Sequence, residues 1–243
     1  MKEEKELIII HESMALTVRT YLSDTFIRSA CNFAKQSREL EEKYIKTGTI
    51  QNEDIVNHKG FIASTIILCA AFLESTINEF YLDVYDNQSC VKELGEKSTE
   101  LIKFYLDIDK PSIEKIFSIL EKYTFALLLC NKEPFTKSSS PYQDINSLVF
   151  LRNALTHYKL KPHTTGKDID YEVSKIESKL KGRFDLNPFL TGPANAFFPD
   201  RCLSYGCAKW AIESSITFTD TFFRNMGLLI PYEYYRRNFK LDE

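Results

Sequence analysis

Three features of the sequence predict an all-α fold. All eight prolines lie at or beyond Pro111, so the first 110 residues contain none. A Pro-free stretch of that length, with apolar residues at helical spacing, favours helices over strands and turns. Apolar residues make up 44% and charged residues 27% of the 243, which supplies a core and excludes globally disordered and fibrous classes. No repeat of fixed period is visible, which argues against a solenoid.

Taken in order, a long helix is expected from about His11 to Ile45, stopped by Gly48, a residue suited to the left-handed position after a helix end. A second long helix runs from near Asp54 to Tyr85 and ends in the turn-forming Asp86-Asn87-Gln88-Ser89. It contains the longest apolar stretch, Phe61 to Leu73, too short for a membrane span and suited to a buried helix. A third helix covers Val91 to Leu106, and a fourth opens at Asp109, with Pro111 in its first turn, and reaches Cys130; Asp at the cap and Pro just inside match the preferences of helix starts. After a loop from Asn131 to Pro141, a fifth helix spans Tyr142 to Leu160 and is stopped by Pro162. A polar sixth helix, Asp168 to Lys181, ends at Gly182. Residues 183–199 are irregular, and Phe184, Phe189, Phe197 and Phe198 are expected to pin them to the core. A last helix, Asp200 to Met226, precedes an aromatic and basic tail, 227–243. No linker divides the chain, so residues 1–243 are expected to form one helical domain.

The net charge of -3 excludes a polycation that would hold nucleic acid by charge alone. The charge is nevertheless uneven: Ile145 to Arg183 holds eight Lys/Arg and four acids, a segment of +4 that leaves -7 elsewhere. The N-terminal MKEEKELIIIHES has an apolar run of only four residues, unlike a signal or transit peptide. Six cysteines show no C-x2-C pair, which speaks against a zinc site or a disulfide framework and for a reducing cytoplasm. No cofactor, metal or membrane association is expected.

One stretch breaks its own pattern. In DINSLVFLRNALTHYKL, the residues Ile145, Leu148, Val149, Leu151 and Leu155 define an apolar arc, and Arg152 falls near its middle. A guanidinium kept there must meet an anion, because burying it alone is costly. Asn153 and His157 are four apart and share another side of the helix.

The R-N-x-x-x-H spacing at Arg152, Asn153 and His157, late in a helical chain, resembles the R-x4-6-H signature of the HEPN superfamily. The upstream AAFLESTINEFY resembles the earlier helix of bacterial members, over a core of roughly 54–226. The resemblance implies a helical bundle, Glu74 as the carboxylate partner of Arg152 (Glu79 being the alternative), and metal-independent endoribonuclease activity. It also implies a homodimer that joins two motif helices. Some members carry a Tyr two residues after the His, where this chain has Lys159, with Tyr158 following His157 directly.

The chemistry needs these residue types. In such a reaction the ribose 2′-OH attacks the neighbouring phosphate and leaves a 2′,3′-cyclic phosphate and a 5′-OH. His157 is the side chain suited to proton transfer near neutral pH. The Arg152 fork fits phosphoryl oxygens that gather charge, and Asn153 positions them by hydrogen bonding. Lys159, Lys161 and Tyr158 are expected to contact the RNA, and Arg236 and Arg237 among tail aromatics offer a stacking surface. The expected setting is defence or toxin–antitoxin function, with an antitoxin or defence partner. The competing expectation is a non-catalytic HEPN-like module that binds RNA, a nucleotide or a protein. A third, without any nucleic-acid role, requires Arg152 to be satisfied wholly by internal carboxylates.

Overall fold

The computed structural model describes residues 19–107, 117–158, 171–192, 194–239 and 241. Among the described residues there are helices and no strand: α1 (Ser23–Thr47), α2 (Asn52–Tyr85), α3 (Glu96–Asp107), α4 (Ile119–Leu129), α5 (Tyr142–Thr156), α6 (Tyr171–Leu180) and α7 (Tyr205–Met226). Short turns of helix lie at Ser89–Val91, Phe197–Arg201 and Glu233–Phe239.

The 34-residue α2 is the central element, packed by α1, α7, α5, α3 and α4. By length and hydropathy it is the one described helix capable of crossing a membrane. Here Ile62, Ile66, Cys69, Phe72, Leu73 and Ile77 on it are fully buried by neighbouring helices. Phe72 meets Tyr232 edge-on, and Phe80 meets Phe222. Such contacts hold α2 between α7 and the C-terminal turn, each adding about 0.5–1.5 kcal/mol beyond area burial.

Several helix starts differ from expectation because capping contacts, one of them between helices, set them. α1 begins at Ser23, not near His11; the part of that expectation ahead of residue 19 lies outside the described residues. The Glu79 carboxylate on α2 accepts from the N–H groups of Leu22 and Ser23 at 2.8 and 3.0 Å and from the Ser23 hydroxyl. These donors belong to the open first turn of α1, so an acid on another helix caps it. Its C-terminal stop is Gly48, at φ 68°, as expected.

Ser118 is extended, and the Glu121 carboxylate accepts from its N–H and hydroxyl. This reciprocal cap starts α4 at Ile119, so the fourth helix does not run unbroken from Asp109; Asp109 and Pro111 lie outside the described residues. α7 starts at Tyr205 rather than Asp200, because the Ser204 hydroxyl accepts from Cys207 N–H.

The irregular stretch after α6 is pinned by its aromatic residues. Phe197 and Phe198 are buried, Phe189 meets the rings of His58 and Tyr44, and Phe184 meets Trp210. His58 is fully buried, with Nε2 2.8 Å from Glu41. The same Glu41 oxygen accepts from Tyr205 N–H, so one carboxylate joins α1, α2 and α7.

The six cysteines are free, and Cys90 alone is exposed. Burial pushes the Cys31 thiol up to about 11, and the buried thiols are poor nucleophiles for that reason.

Candidate functional site

α5 positions the motif through its apolar side. Ile145, Leu148 and Leu151 are fully buried where the helix packs on α2 and α7. Arg152 lies four residues after Leu148 and seven after Ile145, hence on the same side. Its side chain is half-buried, and Nε is shut from solvent with no hydrogen-bond partner. No carboxylate among the described residues pairs with it. Arg19, Arg28, Arg38, Arg183, Arg224 and Arg236 all have such a partner.

Asn153, next to it in the chain, and His157, five residues on, are exposed. The helix ends at Thr156, four residues before the expected Leu160, and His157 is its C-terminal cap, with its N–H donating to the Asn153 carbonyl at 3.0 Å. The imidazole therefore leaves the helix at its last turn and faces solvent. The Thr156 hydroxyl donates to the Arg152 carbonyl at 3.0 Å and completes that turn. Tyr158, 47% exposed, meets the buried Phe198 ring edge-on at 6.1 Å, which ties the end of α5 to the 197–201 turn. Lys159 and Lys161 lie outside the described residues.

Glu74 does not pair with Arg152. It forms an ion pair with the Lys122 ammonium of α4, which also donates to Asn78 Oδ1 at 3.1 Å. Lys122 is fully buried, and a buried ammonium takes whichever acceptors face it. Glu74 and Asn78, one turn apart on α2, face it together. The alternative, Glu79, caps α1 instead; burial raises its pKa above the usual carboxylate value, against the opposing pull of the Ser23 and Leu22 donors.

No family model, curated protein or solved structure matches this chain.

Sequence reasoning passed over two cations. Lys122 stands inside the apolar run IFSILEKYTFALLLC, the same kind of break that marked Arg152. Arg201 lies in the 197–201 turn, and its Nε is also buried without a hydrogen-bond partner. No sequence pattern surrounds Arg201, so only the tertiary structure draws attention to it. Part of the tail packs on the core: Arg236 pairs with the buried Asp220, which also accepts from the Tyr232 hydroxyl at 2.7 Å and from Arg224 at 3.3 Å. Phe239 and Leu241 are buried too, so Arg236 is no longer available to stack on bases. Among the described residues no three His, Cys, Asp or Glu side chains gather as a metal site.

The Arg152 site thus presents an uncompensated cation, a carboxamide and a solvent-facing imidazole within two turns of helix. It is equipped to bind an anion and to move a proton beside it.

Proposed function

We propose that the chain is a metal-independent endoribonuclease of the HEPN kind, acting in the cytoplasm in a defence or toxin–antitoxin setting. The observation that carries the reading is the Arg152 guanidinium, without a carboxylate partner among the described residues and followed in the chain by the exposed Asn153 and His157. A cation in that position invites an external anion, and a phosphodiester is one that the neighbouring imidazole can act on. The 2′-OH of the RNA attacks its own phosphate, the 5′-oxygen leaves, and a 2′,3′-cyclic phosphate forms. Arg152 steadies the charge on the phosphoryl oxygens, Asn153 orients them, and His157 takes or gives a proton. A homodimer placing two copies of His157 at one phosphate supplies both a base and an acid.

The test is cleavage of a mixed RNA pool in EDTA, with product ends identified. The expected loss is about 10²–10³-fold for Arg152→Ala and about 10²–10⁴-fold for His157→Ala. A folded wild-type protein that cleaves no RNA under any condition overturns the nuclease reading.

One observation favours a second reading. Glu74, the acid the resemblance assigns to Arg152, is held by Lys122, so the motif lacks that support. The chain is then a non-catalytic module that holds RNA, a nucleotide or a protein through Arg152. Binding retained in His157→Ala, with no cleavage by the wild type, distinguishes it.

A further inference from the structure

α6 packs against α5 and brings two lysines onto one aromatic ring. The ammonium groups of Lys175 and Lys179 stand 5.5 and 5.3 Å from the centre of the Phe150 ring. They are four residues apart, so they project from one side of α6. Phe150 lies three residues before Asn153 and seven before His157. At about 100° per residue Phe150 and Asn153 lie within roughly 60° of each other on α5, and His157 caps the helix one turn beyond Asn153. The lysines therefore overhang the face that leads to the proposed proton-transfer group.

Neither ammonium has a carboxylate partner among the described residues. Among the described residues, the neighbouring acids Glu177 and Asp144 are engaged with Lys181 and Arg183. An aromatic face attracts a cation by about 0.5–1 kcal/mol at an exposed site but does not neutralise it. Two like charges drawn to one ring leave a local positive potential on a chain whose net charge is -3. An anion carrying several charges in a row relieves it, and a nucleic-acid backbone is such an anion.

We propose that Lys175 and Lys179 form a phosphate track for single-stranded RNA along α5 from Phe150 past Asn153 to His157. The distance from Phe150 to His157 along α5 is about 10 Å, roughly three nucleotides of a stacked strand at about 3.4 Å each. RNA held by the lysines thus reaches His157 without bending. The proposal rests on RNA being the substrate, but it concerns binding and not the cleavage step.

The experiment is fluorescence anisotropy of a labelled single-stranded RNA oligonucleotide across a salt series, with cleavage measured in parallel. The proteins are the wild type, Lys175→Ala/Lys179→Ala, Lys175→Arg/Lys179→Arg, and His157→Ala. The alanine pair is expected to bind about tenfold more weakly at moderate salt. Its plot of log affinity against log salt should flatten by about 1.4, the value for two lost single-strand phosphate contacts. The arginine pair restores both, and His157→Ala is read for cleavage alone. Alanine is a good helix former, so circular dichroism of the alanine pair should match the wild type. Wild-type affinity and slope in the alanine pair overturn the track, even if the protein cleaves RNA. Weakened binding in that pair, with no cleavage by the wild type, supports the track and removes the nuclease reading. No RNA affinity in the wild type overturns both.

Discussion

Removing Glu74 should destabilise the protein more than removing Lys122, although the two form one ion pair. The Lys122 side chain is 1% exposed and that of Glu74 39%. Glu74→Ala leaves a buried ammonium with Asn78 Oδ1 as its remaining acceptor. An uncompensated buried charge costs about 3–5 kcal/mol, and the retained amide contact argues for the lower end, about 3. Lys122→Met instead fills the space with an apolar chain of similar length and frees Glu74 to turn into water. Its expected cost is about 1 kcal/mol. For a chain of this size each kcal/mol moves Tm by about 2–4 °C, so the two variants should melt about 6–12 °C and about 2–4 °C below the wild type. Adding Lys122→Met to Glu74→Ala should recover about 2 kcal/mol, since no buried charge is left. Urea unfolding of the wild type, both single variants and the double variant measures the coupling. Glu74→Ala within 0.5 kcal/mol of the wild type, or a double variant no more stable than Glu74→Ala, would refute the reasoning.

Two further outcomes follow from local geometry. Glu121 caps the start of α4, and the Ser118 donors hold its carboxyl below the ordinary value. Its folded pKa is depressed, so the stability it contributes is complete above the unfolded value near 4.3 and is lost as pH falls through the folded one. Glu121→Ala should cost about 1 kcal/mol at pH 6, and the gap in urea midpoint from the wild type should close towards pH 2.5; a gap independent of pH refutes the cap. Cys90 is exposed, yet burial of its thiol, with Asp83 nearby, pushes its pKa up to about 11. Reaction with a disulfide reagent at pH 8 should run about tenfold slower than for a free cysteine, because scarcer thiolate is only partly offset by its greater nucleophilicity. Asp83→Asn should speed it, and a rate equal to that of free cysteine would show the thiol to be unperturbed.

Much of the fold was legible because helices announce themselves locally. The Pro-free first 110 residues and the glycines at 48 and 227 placed α1, α2 and α7 to within a turn at their C-terminal ends. The starts of α1, α4 and α7 were not legible from periodicity. They depend on which side chain satisfies the open N–H groups: for α1 that is Glu79, more than fifty residues along the chain, and for α4 and α7 it is the local geometry of Ser118 and Ser204.

The candidate site divides in the same way. Arg152 was visible in the sequence because a cation interrupts an apolar arc, and Asn153 and His157 because helical spacing alone puts them on one side. Those are properties of a single helix and need no partner. Which acid meets which cation is a property of packing between helices. Glu74 stands a turn from Asn78 in the sequence, but only the approach of α4 delivers the buried Lys122 to both of them. The sequence by itself determined a helical chain with one anomalous arginine. The tertiary structure decided that this arginine has no carboxylate partner among the described residues, and that Glu74, the acid the resemblance implies for it, pairs with the fully buried Lys122.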